Sequence, residues 1–409
     1  MRILFLSHYF PPEVNAPAHR TFEHCKEWVG AGHEVHVITC IPSHPRGVPF
    51  PGYHKLWYSR ETIAGVEVHR VWTLLAPNEG RFRRLLNYLS FVPTAVLRSL
   101  RLGRFDVIIA TSPQFFCAVA GWIAASLKRT PWVFEVRDLW PESAQAVGAV
   151  GSGFLLGLVE RLERRMYRSA RAVACVTRPF IDNLALHGLA RDKLWYVPNG
   201  METAFWEAGS PAQARKSLGL DGRFVVSYVG TVGMAHGLGT LVGAAELLAT
   251  RRPETVFVVA GDGADRRHVQ KLVEEKGLRN IIFTGLVTRE EARDILLASD
   301  VALVLLKKSP LFEKVIPSKL LEAFAAGCPA VVGVGGEAKR LVQEAGGGLP
   351  VEPEDAEAVA AAIDQLAAAP GTRALMSSAA KEYVCREFDR RTWARRYLDL
   401  IEGICRSAV

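Results

Sequence analysis

The sequence predicts an α/β chain of two doubly wound domains in tandem, each a parallel sheet covered by helices on both faces. Three observations predict this. Short apolar runs alternate with helical stretches from residue 3 to residue 197, the pattern of parallel strands joined by crossover helices. The turn-forming Pro198-Asn199-Gly200 then interrupts the series, and a fresh strand–helix series starts at Phe224. The charge divides at the same place: residues 1–198 hold 24 Lys and Arg against 15 Asp and Glu, net +9, whereas residues 199–409 hold 26 against 27, net −1. A basic front half and a neutral rear half suggest two domains with different partners.

In the front half, residues 3–6 form the first strand and a Pro-rich loop over 9–17 follows it. A helix over 18–30, the Gly32-His33 turn and a strand over 34–39 complete a β-α-β unit. Its first loop lies at the carboxyl end of strand one, where doubly wound sheets bind ligands. Further strands are predicted at 66–71, 107–110, 132–136, 172–176 and 194–197, with helices between them. Residues 107–127 carry no charge, but Ser112-Pro113-Gln114 interrupts them. That run is therefore read as a buried strand, a loop and a buried helix rather than a membrane span.

In the rear half, strands fall at 224–230, 255–260, 281–284, 301–306 and 330–334, and helices at 238–249, 265–276 and 289–298. Gly261-Asp262-Gly263 is a tight turn, and the chain ends in helices, the last over 391–406. With 409 residues, 49% hydrophobic and 22% charged, the composition is that of a globular protein with full cores. Seven scattered Cys without a C-x-x-C pair argue for reduced thiols and against a disulfide framework or a zinc site. Met1-Arg2 runs straight into an apolar stretch too short for a secretory signal. A cytoplasmic protein is the expectation.

One stretch carries chemistry, residues 312–329, Phe-Glu-Lys-Val-Ile-Pro-Ser-Lys-Leu-Leu-Glu-Ala-Phe-Ala-Ala-Gly-Cys-Pro. It reads as a loop turning into a short helix, opened by Pro317 or Ser318 and closed by Gly327 and Pro329. Leu320, Leu321 and Phe324 form its buried face, and Ser318 and Glu322, four apart, share the other. The N–H groups of Ser318, Lys319 and Leu320 point out of the positive end of the helix dipole, an anion site to which Lys319 adds a formal charge. One turn deeper, the Glu322 carboxylate is placed to accept two hydroxyl hydrogen bonds. Phosphates at a helix tip with a diol one turn inside is the shape of a nucleotide diphosphate. A capped helix with a surface Glu is the plain alternative.

With these motifs in place, the chain resembles the retaining glycosyltransferases of family 4, with the GT-B fold. The resemblance covers nearly the whole chain and rests on "GHEVHVIT", "FDVIIATSP", "FEVRDLWPES", "YVPNG", "VVAGDG", "FTGLV", "PSKLLEAFAAGCP" and a terminal helix with Trp393 and Tyr397. "RDLWPES", "GTVGMAHGL" and "PSKLLEAFAAG" are most similar to the O-antigen and capsule branch, including the WbuB-like L-fucosaminyltransferases. It implies two Rossmann-like domains facing across a cleft. Residues 1–198 with 386–409 would bind the acceptor, and residues 199–385 the nucleotide sugar.

Carried over residue by residue, the resemblance makes Glu322 the carboxylate that holds the ribose. The N–H groups of Ser318 and Lys319 match the loop that holds the diphosphate, with Pro317 and Leu320 beside them as further candidate substrate-binding residues. The segment around Val287 would contact the base, and Gly230, Gly261 and Asp262 would line the site. Arg137 stands where many members have a His near the sugar, with Asp138 following. The chain also departs from the pattern. The first of two Glu separated by seven residues is replaced by Lys314, with Glu313 one place off, and Val232 and His236 stand near the usual Arg and Lys. Phosphate charge would then be balanced by Lys319, Arg137 and Lys314, in that order.

The implied reaction retains the anomeric configuration without an assigned enzyme nucleophile. Charge developing on the leaving diphosphate is met by the helix tip and cations, and a β-phosphate oxygen takes the acceptor's proton. With no Asp-x-Asp pair and no Cys/His cluster, the expectation is metal-independent catalysis with no cofactor. Each side chain also has a plainer reading. Lys319 would be a solvated first-turn Lys, and Arg137 a partner of Asp138 or Glu142. Glu135, a candidate base for the acceptor hydroxyl, is the better fit to a buried structural pair. His8 and His236 are cleft residues or hydrogen-bonded structural His. Arg20 starts a helix or reaches the acceptor phosphate.

On the acceptor side, residues 81–93 and 95–104 carry six Arg and no acid, interleaved with Leu85, Leu86, Leu89, Phe91, Val92, Val96, Leu97 and Leu100. Arg161, Arg164, Arg165, Arg168 and Arg171 form a second basic run. Basic amphipathic helices suit an anionic membrane surface. The expectation is a peripheral enzyme on the inner face of the cell membrane, acting on a polyprenyl-diphosphate-linked saccharide. Ordinary solvated Arg on a packed helix is the alternative. No groove-reading motif accompanies the charge, which argues against nucleic acid. Two other functions share the architecture, a nucleotide-sugar 2-epimerase and a non-catalytic nucleotide-sugar-binding subunit.

Overall fold

The computed structural model describes residues 1–44, 46–76, 81–112, 114–139 and 154–406. Pro113 and the stretch around Glu142, the second suggested partner of Arg137, lie outside the described residues. The chain divides into two compact units, Met1–Gly200 with Arg390–Val409, and Met201–Asp389.

The front unit is built on eight strands: β1 (Arg2–Leu6), β2 (Glu34–Cys40), β3 (Tyr58–Ile63), β4 (Val66–Val71), β5 (Val107–Thr111), β6 (Trp132–Val136), β7 (Ala172–Cys175) and β8 (Leu194–Tyr196). They lie in the order β3-β4-β2-β1-β5-β6-β7-β8. The inner strands are mostly buried along their whole length, which is why they read as unbroken apolar runs. The expectation of a wholly parallel sheet needs one correction: β3 pairs antiparallel with β4. Their two-residue connection, Ala64-Gly65, has φ of 50° and 82°, the left-handed turn that matches hairpin twist. As an edge strand, β3 alternates exposed and half-buried residues, so its Ser, Arg, Glu and Thr hid it from an apolar-run reading.

The last helix, Arg390–Arg406, belongs to this unit and buries Ala394, Tyr397, Leu398, Ile401 and Ile404. It is anchored by Trp28, whose indole N–H donates to the Ala394 carbonyl at 2.9 Å while its ring stands edge-on to Tyr397.

The rear unit holds β9 (Phe224–Val229), β10 (Thr255–Ala260), β11 (Ile281–Gly285), β12 (Val301–Leu305), β13 (Ala330–Gly333) and β14 (Gly348–Pro350). All are parallel, in the order β11-β10-β9-β12-β13-β14. Side chains alternate between two cores: Val225 and Val229 face one, Phe224, Val226 and Tyr228 the other. From β9 the chain runs outward through β10 and β11, then returns to β12 on the other side of β9. The carboxyl ends of β9 and β12 therefore flank a topological switch point, where such sheets open a crevice.

Candidate active site

The helix that follows β12 in this crevice spans Ser318–Ala325. Pro317 occupies its N-cap with extended backbone, and no side chain caps it. Leu320, Leu321 and Phe324 are buried, and Ser318 and Glu322 are half-buried, so the spacing sets the orientation. The tip is narrower than expected. The Leu320 N–H donates to the Pro317 carbonyl at 3.0 Å, so Leu320 is withdrawn from the anion site. That leaves the Ser318 and Lys319 amides to face it.

Lys319 does not extend into water. Its Nζ donates to the Tyr228 hydroxyl at 2.6 Å and lies 4.0 Å from the centre of that ring. The hydroxyl in turn donates to the Thr231 carbonyl at 2.6 Å. Burial pushes the Lys319 ammonium down to about 7, against the opposing pull of Glu322. Tyr228 is a site residue that the sequence reading missed. It sits among the apolar residues of β9 and differs from them only by its hydroxyl.

Three strand ends are laced together beside Lys319. The Gly230 N–H donates to the Ala260 carbonyl at 2.8 Å, Val232 N–H to Asp262 at 3.0 Å, and Gly261 N–H to Gly285 at 2.8 Å. Gly261 has φ +134°, and a Cβ there would stand 2.0 Å from the Gly230 carbonyl oxygen. Only glycine permits this approach. The Lys319 side chain lies over Gly230. The Asp262 carboxylate accepts from the Gly263 N–H at 2.8 Å and stays largely exposed. His236 is half-buried near Tyr228 and is pushed down to about 4 by burial and the charge of Lys319. It is neutral at pH 7 and supplies no cation. Val232 is fully buried and supplies none either.

Val287 is half-buried against the core cluster that includes the helix. Lys314 ends a short 3-10 turn, Phe312–Lys314, and Glu313 lies against the Gly335-Gly336 turn. The structure thus gathers Lys319, Gly230, His236, Gly261 and Asp262 at the strand ends, with Glu322 one turn inside.

In the front unit the expected residues split into engaged and available groups. Glu135 is fully buried. It accepts from Arg20 Nη2 at 3.1 Å and from the Thr111 hydroxyl at 2.7 Å. Burial alone would raise its carboxyl, but the Arg20 and Arg137 charges hold it below the ordinary range. Both oxygens are occupied, so the catalytic assignment of Glu135 as a base is corrected to that of a buried ion-pair partner. Arg20 is equally committed. It donates to the Pro198 carbonyl at 2.6 Å and the Val197 carbonyl at 2.8 Å. It ties β8's exit to the first helix, Ala16–Gly30, while its Nε is buried with no hydrogen-bond partner among the described residues. His8 is buried, with Nε2 3.1 Å from Asn87 Oδ1, and burial pushes it down to about 4.

Arg137 differs from these. Its backbone N–H donates to the Ser112 hydroxyl at 2.7 Å. Its Nε and Nη1 are buried with no hydrogen-bond partner among the described residues. Burial pushes it down to about 10, with Arg20 adding to the shift. Burial also lifts the adjacent Asp138 to about 6, against the pull of Arg137. Buried donors without a partner are uncommon in folded proteins. Glu13 was not anticipated either. It is buried, and its Oε1 accepts from the Ser43 and His44 N–H groups at 3.0 and 2.9 Å. Among the described residues, no group of three or more His, Cys, Asp or Glu is placed to hold a metal ion.

Comparison with known proteins bears on the whole chain. Residues 15–200 match the glycosyl transferase 4-like domain and residues 211–383 the glycosyl transferases group 1 family. The chain is 28% identical to the "Putative colanic acid biosynthesis glycosyl transferase WcaI" of Escherichia coli K12, over 98% of this chain and 100% of that one. Among solved structures it is similar to the sucrose-phosphate synthase of Thermosynechococcus elongatus, with TM-score 0.78, 20% identity and 99% of each chain covered. It is also similar to HepE of Anabaena in complex with UDP, with TM-score 0.73, 17% identity, and 98% of this chain and 100% of that one covered. The chain is a glycosyltransferase of the GT-B fold, its front unit related to the glycosyl transferase 4-like domain and its rear unit to the glycosyl transferases group 1 family.

Proposed function

We propose that this chain transfers an N-acetylated or deoxy hexose from its UDP derivative to a polyprenyl-diphosphate-linked saccharide, with retention, in O-antigen, capsule or exopolysaccharide synthesis. The stretches "RDLWPES", "GTVGMAHGL" and "PSKLLEAFAAG" support the L-fucosaminyltransferase branch. The observation that carries the reading is the start of the helix Ser318–Ala325. Two tip amides and the Lys319 ammonium face the switch point, and Glu322 lies one turn inside. That arrangement accepts a diphosphate outside and a ribose diol within.

In the proposed step the bond from the anomeric carbon to the β-phosphate oxygen breaks, and a bond from that carbon to the acceptor oxygen forms on the same face. The acceptor's proton passes to the departing diphosphate, whose charge Lys319 and the helix tip stabilise. Arg137, with its orphan donors, is the front unit's contact for a phosphate or sugar oxygen. HepE has been crystallised with UDP-glucose, which supports a uridine donor. The naming of WcaI for colanic acid biosynthesis supports a polysaccharide product.

The acceptor's lipid implies work at the inner face of the cell membrane. No described helix is long and apolar enough to cross a membrane, and the basic front unit suits peripheral contact with anionic lipid. A thermal-shift panel of UDP, GDP, TDP and ADP, followed by their sugars, tests the donor. Stabilisation by UDP above the others is expected, and a preference for another nucleotide would overturn the assignment.

A further inference from the structure

The membrane association just proposed leaves open which surface meets the bilayer, and the helix Arg81–Arg101 carries an answer that rests on that reading. Phe91, Ala95 and Ser99 on one side of this helix are buried. At about 100° per residue, Leu85, Leu86, Leu89, Pro93, Leu97 and Leu100 fall within about 120° of arc on the opposite side. All six are exposed, Leu97 to 55%. A helix of a water-facing surface turns its leucines inward; this one turns a stripe of them outward over its length. Arg83 and Arg101 border the stripe, and the helix contains no Asp or Glu.

Two further features of the same unit point to lipid. Trp57, 75% exposed, packs on Trp72 at 5.0 Å between ring centres. It directly precedes β3, whose Tyr58 hydroxyl accepts from Arg98 of the helix at 2.6 Å. Exposed Trp beside an apolar face is the residue type of the headgroup layer. In addition, Arg161, Arg164, Arg165 and Arg168 recur at helical spacing along Phe154–Ser169, all exposed and in no ion pair with the described residues. The inner side of the leucine helix reaches the ligand end of the sheet: Asn87 contacts His8 at 3.1 Å, and the Tyr88 and Tyr9 hydroxyls stand 3.5 Å apart.

We propose that this helix lies in the interface of an anionic bilayer, with its leucine stripe among the acyl chains and its arginines at the phosphates. That seating would hold the carboxyl end of β1 at the level where a lipid-linked acceptor presents its headgroup. Binding by charge alone is screened by salt, whereas inserted leucines are not.

The test is flotation of the full chain with vesicles of mixed phosphatidylcholine and phosphatidylglycerol, at low salt and at about 1 M salt, where the Debye length is about 3 Å. The wild-type chain is expected to stay bound in both. Leu85→Gln/Leu89→Gln is expected to lose at least about tenfold in affinity and to be released by salt. Leu186→Gln, an 87% exposed leucine on another helix, should behave as wild type. Should the double variant lose its circular dichroism spectrum, Leu97→Gln carries the same test. Wild type bound at low salt but wholly released by salt overturns the insertion and leaves surface association standing. No binding even at low salt overturns both. A concentration-dependent dimer that the leucine variants dissolve, with vesicle binding unchanged, would assign the face to a second copy and overturn the proposal.

Discussion

The ammonium of Lys319 sits 2.6 Å from the Tyr228 hydroxyl and 4.0 Å from the centre of that ring, so β9 holds in place the cation delivered by the crossover from β12 to β13. The hydroxyl's own donation to the Thr231 carbonyl fixes its orientation. Lys319 is thus preorganised at the switch point before any ligand arrives. Replacing it by Ala should lower kcat by about 10²- to 10³-fold, the usual cost of one preorganised donor. Tyr228→Phe should cost less, about tenfold, because the ring face remains. Steady-state kinetics with a UDP-sugar check both, and wild-type turnover in Lys319→Ala would remove Lys319 from the site.

The Lys319 ammonium titrates near 7 without ligand because burial disfavours its charge. A bound diphosphate favours the charged form, so binding takes up a proton at pH above 7. UDP affinity should therefore fall as pH rises through 7 to 9, by up to about tenfold per unit. Lys319→Arg, charged throughout, should flatten the profile. Titration calorimetry in buffers of different ionisation enthalpy reads both the affinity and the proton uptake.

Glu322, one turn inside the helix, is assigned to the ribose. Glu322→Ala should weaken UDP by about 10- to 100-fold, the worth of one or two hydrogen bonds to a charged group. It should weaken 2′-deoxy-UDP much less. Equal losses for the two ligands would place the carboxylate elsewhere.

The close approach of Gly261 to the Gly230 carbonyl leaves no room for a side chain. Gly261→Ala combines that clash with a backbone conformation unfavourable to Ala, and should cost about 2–4 kcal/mol of stability. Urea unfolding measures the loss, which should be confined to the rear unit's transition if the units unfold separately.

Acid should destabilise the front unit through its buried histidines, offset in part by Asp138, whose carboxyl is lifted to about 6 and takes up a proton in the folded chain first. His8 is held at about 4, and burial holds His24 well below its ordinary range. The unfolded chain binds protons at these positions from about pH 6.5 downward, while the folded chain does not until lower pH. Stability therefore falls as pH drops from 6.5 toward 4. Thermal melts across that range should show Tm declining, with a shallower decline in His8→Phe if the site accepts the ring.

The strands of both sheets were legible because buried parallel strands are continuous apolar runs, and residues 66–71, 132–136 and 255–260 fall on their strands to the residue. The polar edge strand β3 was not, since its solvent-facing residues carry no such signal. Within the site, the face of the helix Ser318–Ala325 followed from spacing alone. The loss of the Leu320 amide to Pro317 did not, because it depends on how tightly the first turn closes. Tyr228 read as core, and it is core. Its function depends on a lysine distant in sequence, and no local pattern carries that. Glu135 was bracketed between a catalytic and a structural role, and the bonds to both of its oxygens favour the structural one, which depends on an arginine and a threonine distant in sequence.

A crystal structure of the chain with UDP tests the central claim most directly. The account predicts the diphosphate against the Ser318 and Lys319 amides and the Lys319 ammonium, with the ribose hydroxyls on Glu322. UDP bound away from the helix Ser318–Ala325, with Glu322 turned to solvent, would contradict it.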